Sequence, residues 1–272
     1  MSVRIINGDC REVLATLPDE SVHCCVTSPP YWGAQRDYGV VGQLGHEKTP
    51  EAFVAELVPI FREVRRALRS DGVLWLNMGD SYAASGKGGG GKMMQSRGEE
   101  WGDRNHLKGW RSPPPGYKQK DLVGVPWMLA FALRADGWYL RRDVVWNKQA
   151  ATEPTRSDRP AMSHEPLFLF AKSLRYQFDT SSLPHGTVWN ISPQGADGHK
   201  AAFPPALVEP CILSGCPRGG MVLDPFFGAG TTGLVADRHQ RDCIGIELNA
   251  AYAEIAQRRI ASDAGLFAEI AA

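Results

Sequence analysis

The sequence has no surplus of charge: 30 basic and 30 acidic side chains cancel over 272 residues, so the whole-chain balance names no partner by itself. It has no uninterrupted apolar stretch long enough to span a bilayer, and no membrane partner is expected. Its first residues, "MSVRIINGDC", lack the apolar core of a signal peptide, which makes a cytoplasmic location the expectation. The six cysteines, Cys10, Cys24, Cys25, Cys211, Cys216 and Cys243, show no Cys-x-x-Cys spacing. They are expected to be reduced core fillers, with no metal site. What remains is 43% hydrophobic and 22% charged, an ordinary globular composition for one large α/β domain with room for an insertion.

Short β-type runs alternate with helical patterns, which predicts a largely parallel sheet covered by helices. "VRII" (3–6) and "VHCCVT" (22–27) are the first strands, with a short helix near 11–17 between them. Thr49 is a plausible N-cap with Pro50 at the first helical position. Phe53, Leu57, Phe61, Val64 and Leu68 then share one face, and "SDG" (70–72) is expected to stop the helix before the strand "VLWLNMGD" (73–80). Residues 125–148 predict a helix, a stop at Gly137 and a strand; "EPLFLFAKS" (165–173) is another strand, 174–200 is irregular, and 203–216 is helical. Residues 81–120 break the rhythm with four consecutive glycines and three consecutive prolines. They carry Lys87, Lys92, Arg97, Arg104, Lys108, Arg111, Lys118 and Lys120, interleaved with Trp101, Trp110 and Tyr117. That composition suits a nucleic-acid backbone and unstacked bases, and equally a solvated linker.

"MVLDPFFGAGTTG" (221–233) is a buried strand, an acid and a glycine turn opening a helix. Gly228, Gly230 and Gly233 let a backbone approach a ligand closely and aim helix N-terminal amides at it. No lysine follows as in a triphosphate cradle. Glu247, ending "DCIGIE" (242–247), is placed to hold ribose hydroxyls, which leaves NAD and S-adenosylmethionine both open. Asp224, just before the turn, would repel a pyrophosphate and attract the cationic amino-acid end of S-adenosylmethionine, unless it only caps the turn. "TSPPYW" (27–32) ends a strand in a hydroxyl, two stiff prolines and two aromatic rings, a rigid shelf that an NAD enzyme leaves unexplained.

Together "TSPPYW" (27–32), "DPFFGAGTT" (224–232), "GIELNAAYAEIAQRR" (245–259), "HKAAFP" (199–204), "IINGDCREVLATLPDESV" (5–22) and "RRDVVWNK" (141–148) resemble the β-group DNA amino-methyltransferases. The resemblance covers nearly the whole chain except 81–120 and part of 174–198. It implies a Rossmann-like methyltransferase fold, circularly permuted, with a mostly parallel seven-stranded sheet and helices on both faces. Residues 1–80 and 121–148 would form the catalytic half, 81–120 a flexible basic loop or lid, 149–198 a target-recognition region, and 199–272 the cofactor-binding half. S-adenosylmethionine is the implied cofactor. Asp9 would lie near its adenine, Glu247 on its ribose, and Asp224 and Pro225 with Gly228, Gly230, Thr231 and Thr232 at its methionine part. Phe226 and Phe203 would be walls, and His199 and Pro204 belong to a segment that helps line the pocket.

The resemblance also gives the shelf a task. Ser28 Oγ and the Pro29 carbonyl would accept the hydrogens of an exocyclic amine on a flipped base, Pro30 would keep that carbonyl out of secondary structure, and Tyr31 would stack on the base. No covalent intermediate is needed, so Pro210–Cys211 is read as core and not as a cytosine-C5 nucleophile. The target is adenine N6 or cytosine N4. Serine at the first shelf position is commoner in cytosine enzymes, while stand-alone enzymes more often methylate adenine, which tips the expectation slightly to adenine. Double-stranded DNA is the implied substrate, gripped by Lys87, Lys92, Arg97, Arg104, Lys108 and Arg111 and read from 149–198 by Arg156, Arg159, Lys172 and Arg175. A homodimer and a cognate restriction nuclease outside this chain are further implications. Alternative readings are an RNA or protein-glutamine amino-methyltransferase, an inactive DNA-binding protein, and an NAD-dependent oxidoreductase.

Overall fold

The computed structural model describes residues 2–33, 39–83, 113–150, 157–194 and 203–264. In the first half, β1 (Val3–Asn7), α1 (Cys10–Thr16), β2 (Val22–Thr27), α2 (Pro50–Ala67) and β3 (Leu68–Asn77) follow in order. Then come α3 (Val125–Ala135), β4 (Tyr139–Asn147), β5 (His164–Ala171) and β6 (Val188–Asn190). The chain closes with α4 (Pro205–Gly215), β7 (Met221–Asp224), α5 (Thr231–Arg238), β8 (Asp242–Glu247) and α6 (Ala250–Ala264). The strands form one sheet in the order β1-β8-β7-β2-β3-β5-β4-β6. Among the strands of the described residues, only the pairings of β5 with β3 and β4 are antiparallel.

The strand order puts late sequence into the middle of the sheet. β7 and β8 lie between β1 and β2, so the chain's last two strands complete a parallel run that its first two begin. Parallel strands share one C-terminal edge, and here that edge carries Asn7, Thr27, Asn77, Asp224 and Glu247. Because β5 runs the other way, its first residues, His164 and Glu165, arrive at the same edge. The end of β4 joins them, with Trp146 opposite Glu165. Ligands of open α/β sheets bind at this edge, near the point where strand order reverses.

Sequence and structure diverge in three elements. Thr49 does cap α2, its hydroxyl accepting from Ala52 N at 3.1 Å. But Leu68 leaves the helix and opens β3, so Ser70–Gly72 lie inside a strand and stop nothing. Pairing of Leu68 with Val22 satisfies the backbone there, at the cost of a register shift between Val22 and Cys24. The sheet has eight strands among the described residues where seven were expected. The addition, β6, falls in the irregular stretch 174–200 and is anchored by buried Trp189, whose ring lies 5.7 Å from that of Trp75. Three residues are too short to leave a periodic signal.

All six cysteines are free and buried, as expected for core fillers. Among the described residues no cluster of side chains could hold a metal, and no helix is long and apolar enough to cross a membrane. Hydrophobic side chains pack on both faces of the sheet. Phe227 is the plug under the glycine turn: a Cβ on Gly245 would stand 2.3 Å from its ring, and one on Gly233 2.6 Å. With so little room for collapse around it, Phe227→Ala should cost about 3–5 kcal/mol, seen as a lower urea midpoint at unchanged m.

Candidate active site

A cleft of about 1130 Å³, open mouth included, runs along the C-terminal edge. It is lined by Ser28, Pro29, Pro30 and Tyr31 of the shelf and by Pro225, Phe226, Gly228 and Thr231 of the turn. Asp9, Glu247, Phe203 and Tyr252 complete its floor and walls, and residues 40 and 42–44 edge its mouth. Shelf and glycine turn thus share one space. The cause is topological: β2, which ends in the shelf, pairs directly with β7, which ends in the turn.

The turn is held open from two directions. Gly228 and Gly230 have φ of +53° and +77°, the left-handed region that glycine tolerates. Glu247 Oε2 accepts from Gly228 N at 2.7 Å and Oε1 from Asn249 N at 2.9 Å, while burial raises the pKa of that carboxyl. Arg259, on α6, donates to the Ala229 carbonyl at 3.1 Å and to Thr231 Oγ1 at 2.9 Å. Asp9 caps α1 through Arg11 N and is clamped by the Arg11 guanidinium, whose hydrogen bonds lower the Asp9 pKa. Arg11 reaches on to the Gly42 carbonyl at 2.9 Å, tying the mouth segment to the end of β1.

The shelf is braced from behind. Trp32, 2% exposed, donates its indole N–H to the Glu47 carbonyl at 2.9 Å, and Gly33 N donates to Gly45 O at 3.1 Å. Ser28 Oγ lies 3.4 Å from Asn77 Oδ1, and Tyr31 Oη donates to Glu165 Oε2 at 2.9 Å.

Four of the expected cofactor residues do not line the cleft. The carboxylate of Asp224, 1% exposed, lies beneath it. Its Oδ1 accepts from Thr27 Oγ1 at 2.6 Å and Phe226 N at 3.0 Å, and its Oδ2 from Thr232 Oγ1 at 2.7 Å. Burial pushes the Asp224 pKa up to about 6 despite these donors. Asp224 and Thr232 therefore join the shelf strand to the turn's helix. Gly230 faces α6, where a Cβ would come 2.8 Å from that of Ala256, and buried Pro204 occupies the N-cap of α4. His199 lies outside the described residues, as do Lys87, Lys92, Arg97, Arg104, Lys108, Arg111 and Arg156. Arg159 stacks 3.8 Å from the Tyr82 ring centre, and its neighbour Asp158 pairs with Lys120 at 2.8 Å. Both contacts are at the foot of the 81–120 segment. Lys172 is at the opposite edge of the sheet, donating to the Leu68 carbonyl at 2.6 Å, because β5 runs antiparallel.

Sequence reasoning passed over Asn77, Gly79, Lys148, Glu165, Arg11 and Arg259. Asn77 had a readable signal, a polar residue ending the strand beside the shelf strand. The others act through long-range contacts. As a donor set the cleft fits a nucleoside with a polar tail: aromatic walls for a flat base, two carboxylates for polar groups, and a glycine turn for close backbone approach.

Comparison with known proteins agrees. The N6/N4 methyltransferase family model, described as DNA methylase, matches residues 22–258. The Type II methyltransferase M.SmaI of Serratia marcescens is 46% identical over 95% of this chain and 91% of its own length. A Thermus thermophilus protein solved with S-adenosyl-L-methionine superposes with a TM-score of 0.69 at 28% identity, covering 97% of this chain and 96% of the other. The PvuII DNA methyltransferase, named cytosine-N4-specific, shares the fold at a TM-score of 0.70 and 20% identity, over 95% of this chain and 87% of the other.

Proposed function

The chain belongs to the N6/N4 family of DNA methylases, and from that premise we propose that it methylates cytosine N4 in duplex DNA at a base rotated onto the Ser28–Tyr31 shelf. S-adenosylmethionine is the cofactor, and it supplies an electrophilic methyl group. The observation that carries the reading is the shared cleft, which shelf and glycine turn both line.

An exocyclic amine is a poor nucleophile because its lone pair is delocalised into the ring. Ser28 Oγ and the Pro29 carbonyl accept its two hydrogens, which favours a more tetrahedral nitrogen and stabilises the positive charge that grows during attack. Pro30 has no N–H to donate, and Pro29 with it keeps the backbone stiff. Tyr31 supplies an aromatic face for the displaced base. Asp9, Phe203, Phe226 and Glu247 hold the nucleoside part of the cofactor, and the turn residues Gly228, Ala229 and Thr231, which line the cleft, meet its tail. Asp224 and Thr232 act from beneath, fixing the turn to the shelf strand. Much of the remaining rate comes from this alignment.

Between the two bases, support for cytosine comes from Ser28 heading the shelf and from the cytosine-N4 specificity named for the PvuII enzyme. The slight preference for adenine rests on the prevalence of stand-alone enzymes and on no residue of this chain. The test is methyl transfer from labelled cofactor to duplex DNA followed by nucleoside analysis. Label in N4-methylcytosine is the expected result. Label in N6-methyladenine would keep the enzyme and change the base, and label confined to RNA or protein would replace the substrate class.

A further inference from the structure

We propose that Glu165, paired with Lys148, is a positioning residue that makes Ser28 an acceptor and holds the Tyr31 ring in place; the inference rests on the amine-methylation reading above. Glu165 is 9% exposed and lies outside the cleft lining, so it does not act on the base by contact. Its Oε2 accepts from Tyr31 Oη at 2.9 Å and from Asn77 Nδ2 at 3.4 Å, and its Oε1 accepts from Lys148 Nζ. Lys148 also sits 4.5 Å from the centre of the Trp146 ring.

These contacts fix which way the Asn77 amide points. Nδ2 faces two acceptors, Glu165 and the Pro166 carbonyl at 3.1 Å, so Oδ1 must face the shelf. A serine hydroxyl has one proton and two lone pairs. With Asn77 Oδ1 3.4 Å away, the Ser28 proton is directed there and its lone pairs are left for the incoming amine. Were the Asn77 amide reversed, it would donate to Ser28 and the hydroxyl would be turned to donate into the shelf.

Tyr31 is held at the same time. A Cβ on Gly79 would stand 2.5 Å from Tyr31 Cε2 and 3.0 Å from Cδ2, so that edge of the ring lies close against the backbone while the carboxylate holds its hydroxyl. A hydrogen bond to a carboxylate is roughly twice as strong as a neutral one. Burying an ion pair is weak grounds for stability, since apolar pairs of like size generally do as well. The network is better accounted for by the geometry it imposes.

The test compares Glu165→Gln, Tyr31→Phe, and both together. Glu165→Gln should lower kcat about 10- to 100-fold while the calorimetric affinity for S-adenosylmethionine stays at the wild-type value. Tyr31→Phe keeps the ring and loses the hydroxyl. The double variant should lose no more than the more damaged single, because the Tyr31 contact is one of those that Glu165→Gln already disturbs. If Glu165→Gln does not fold, the Lys148→Met/Glu165→Gln variant, which leaves no unpaired buried charge, takes its place with the same expected loss of kcat. An unchanged kcat in either variant, or losses that multiply in the double, overturns the inference. Wild-type protein that binds cofactor and methylates no DNA would instead overturn the reading beneath it.

Discussion

Asp224→Ala is expected to lower the free energy of unfolding by about 3–5 kcal/mol, among the largest effects of any single change near the site. The alanine would leave the Thr27 hydroxyl and the Phe226 N–H without their buried acceptor, and Thr232 with only a 3.4 Å contact to the Val26 carbonyl. Since these groups belong to the shelf strand, the turn and α5, cofactor binding should fall with stability. Asp224→Asn is the informative control. Its amide oxygen can still accept from Thr27 and Phe226, and its NH₂ can donate to Thr232, so most of the stability should survive. The two also differ in pH dependence. Burial raises the native pKa of Asp224 from 3.8 to about 6, so between those values the native state holds the extra proton. That contribution is fully present below the unfolded value and is lost as pH rises through about 6. Urea midpoints measured across this window should therefore show Asp224→Asn gaining on the wild type as pH rises. A constant gap would mean that Asp224 titrates normally.

Ser28→Ala is the second large effect, on rate. Removing one preorganised acceptor from a charge-developing site costs about 10²–10³ in kcat, and single-turnover methylation of a duplex should fall by that factor. Cofactor affinity should hold, because the Ser28 hydroxyl is directed at Asn77 and not at the turn. A mutant that lost affinity and kept its single-turnover rate would place Ser28 among cofactor contacts instead.

How legible this was depended on whether the signal was local. Thr49 with Pro50, the helical spacing of Phe53 to Val64, and the glycine stop at Gly137 are written within a few residues of one another, and each appears where expected. The shelf and the turn were legible as motifs, and their meeting in one cleft followed from the permuted order of strands. The end of α2 was misjudged because pairing with Val22 overrode the turn chemistry of "SDG". β6 was missed because three residues carry no period. Asp224 looked like a ligand on its spacing, yet Thr27 lies 197 positions away in sequence and Thr232 on the next helix, and only the packed fold reveals that they surround it. Glu165 was hidden for the same reason, since the antiparallel turn of β5 is what brings it under the shelf.

The most direct measurement is a structure of the protein with a duplex and a non-reactive analogue of S-adenosylmethionine. The account predicts one base out of the helix in the cleft, its exocyclic nitrogen within hydrogen-bond reach of Ser28 Oγ and the Pro29 carbonyl, and about 3–3.5 Å from the position of the transferable carbon. A base still stacked in the duplex, or one extruded against another face of the protein while the analogue fills the turn, would contradict it.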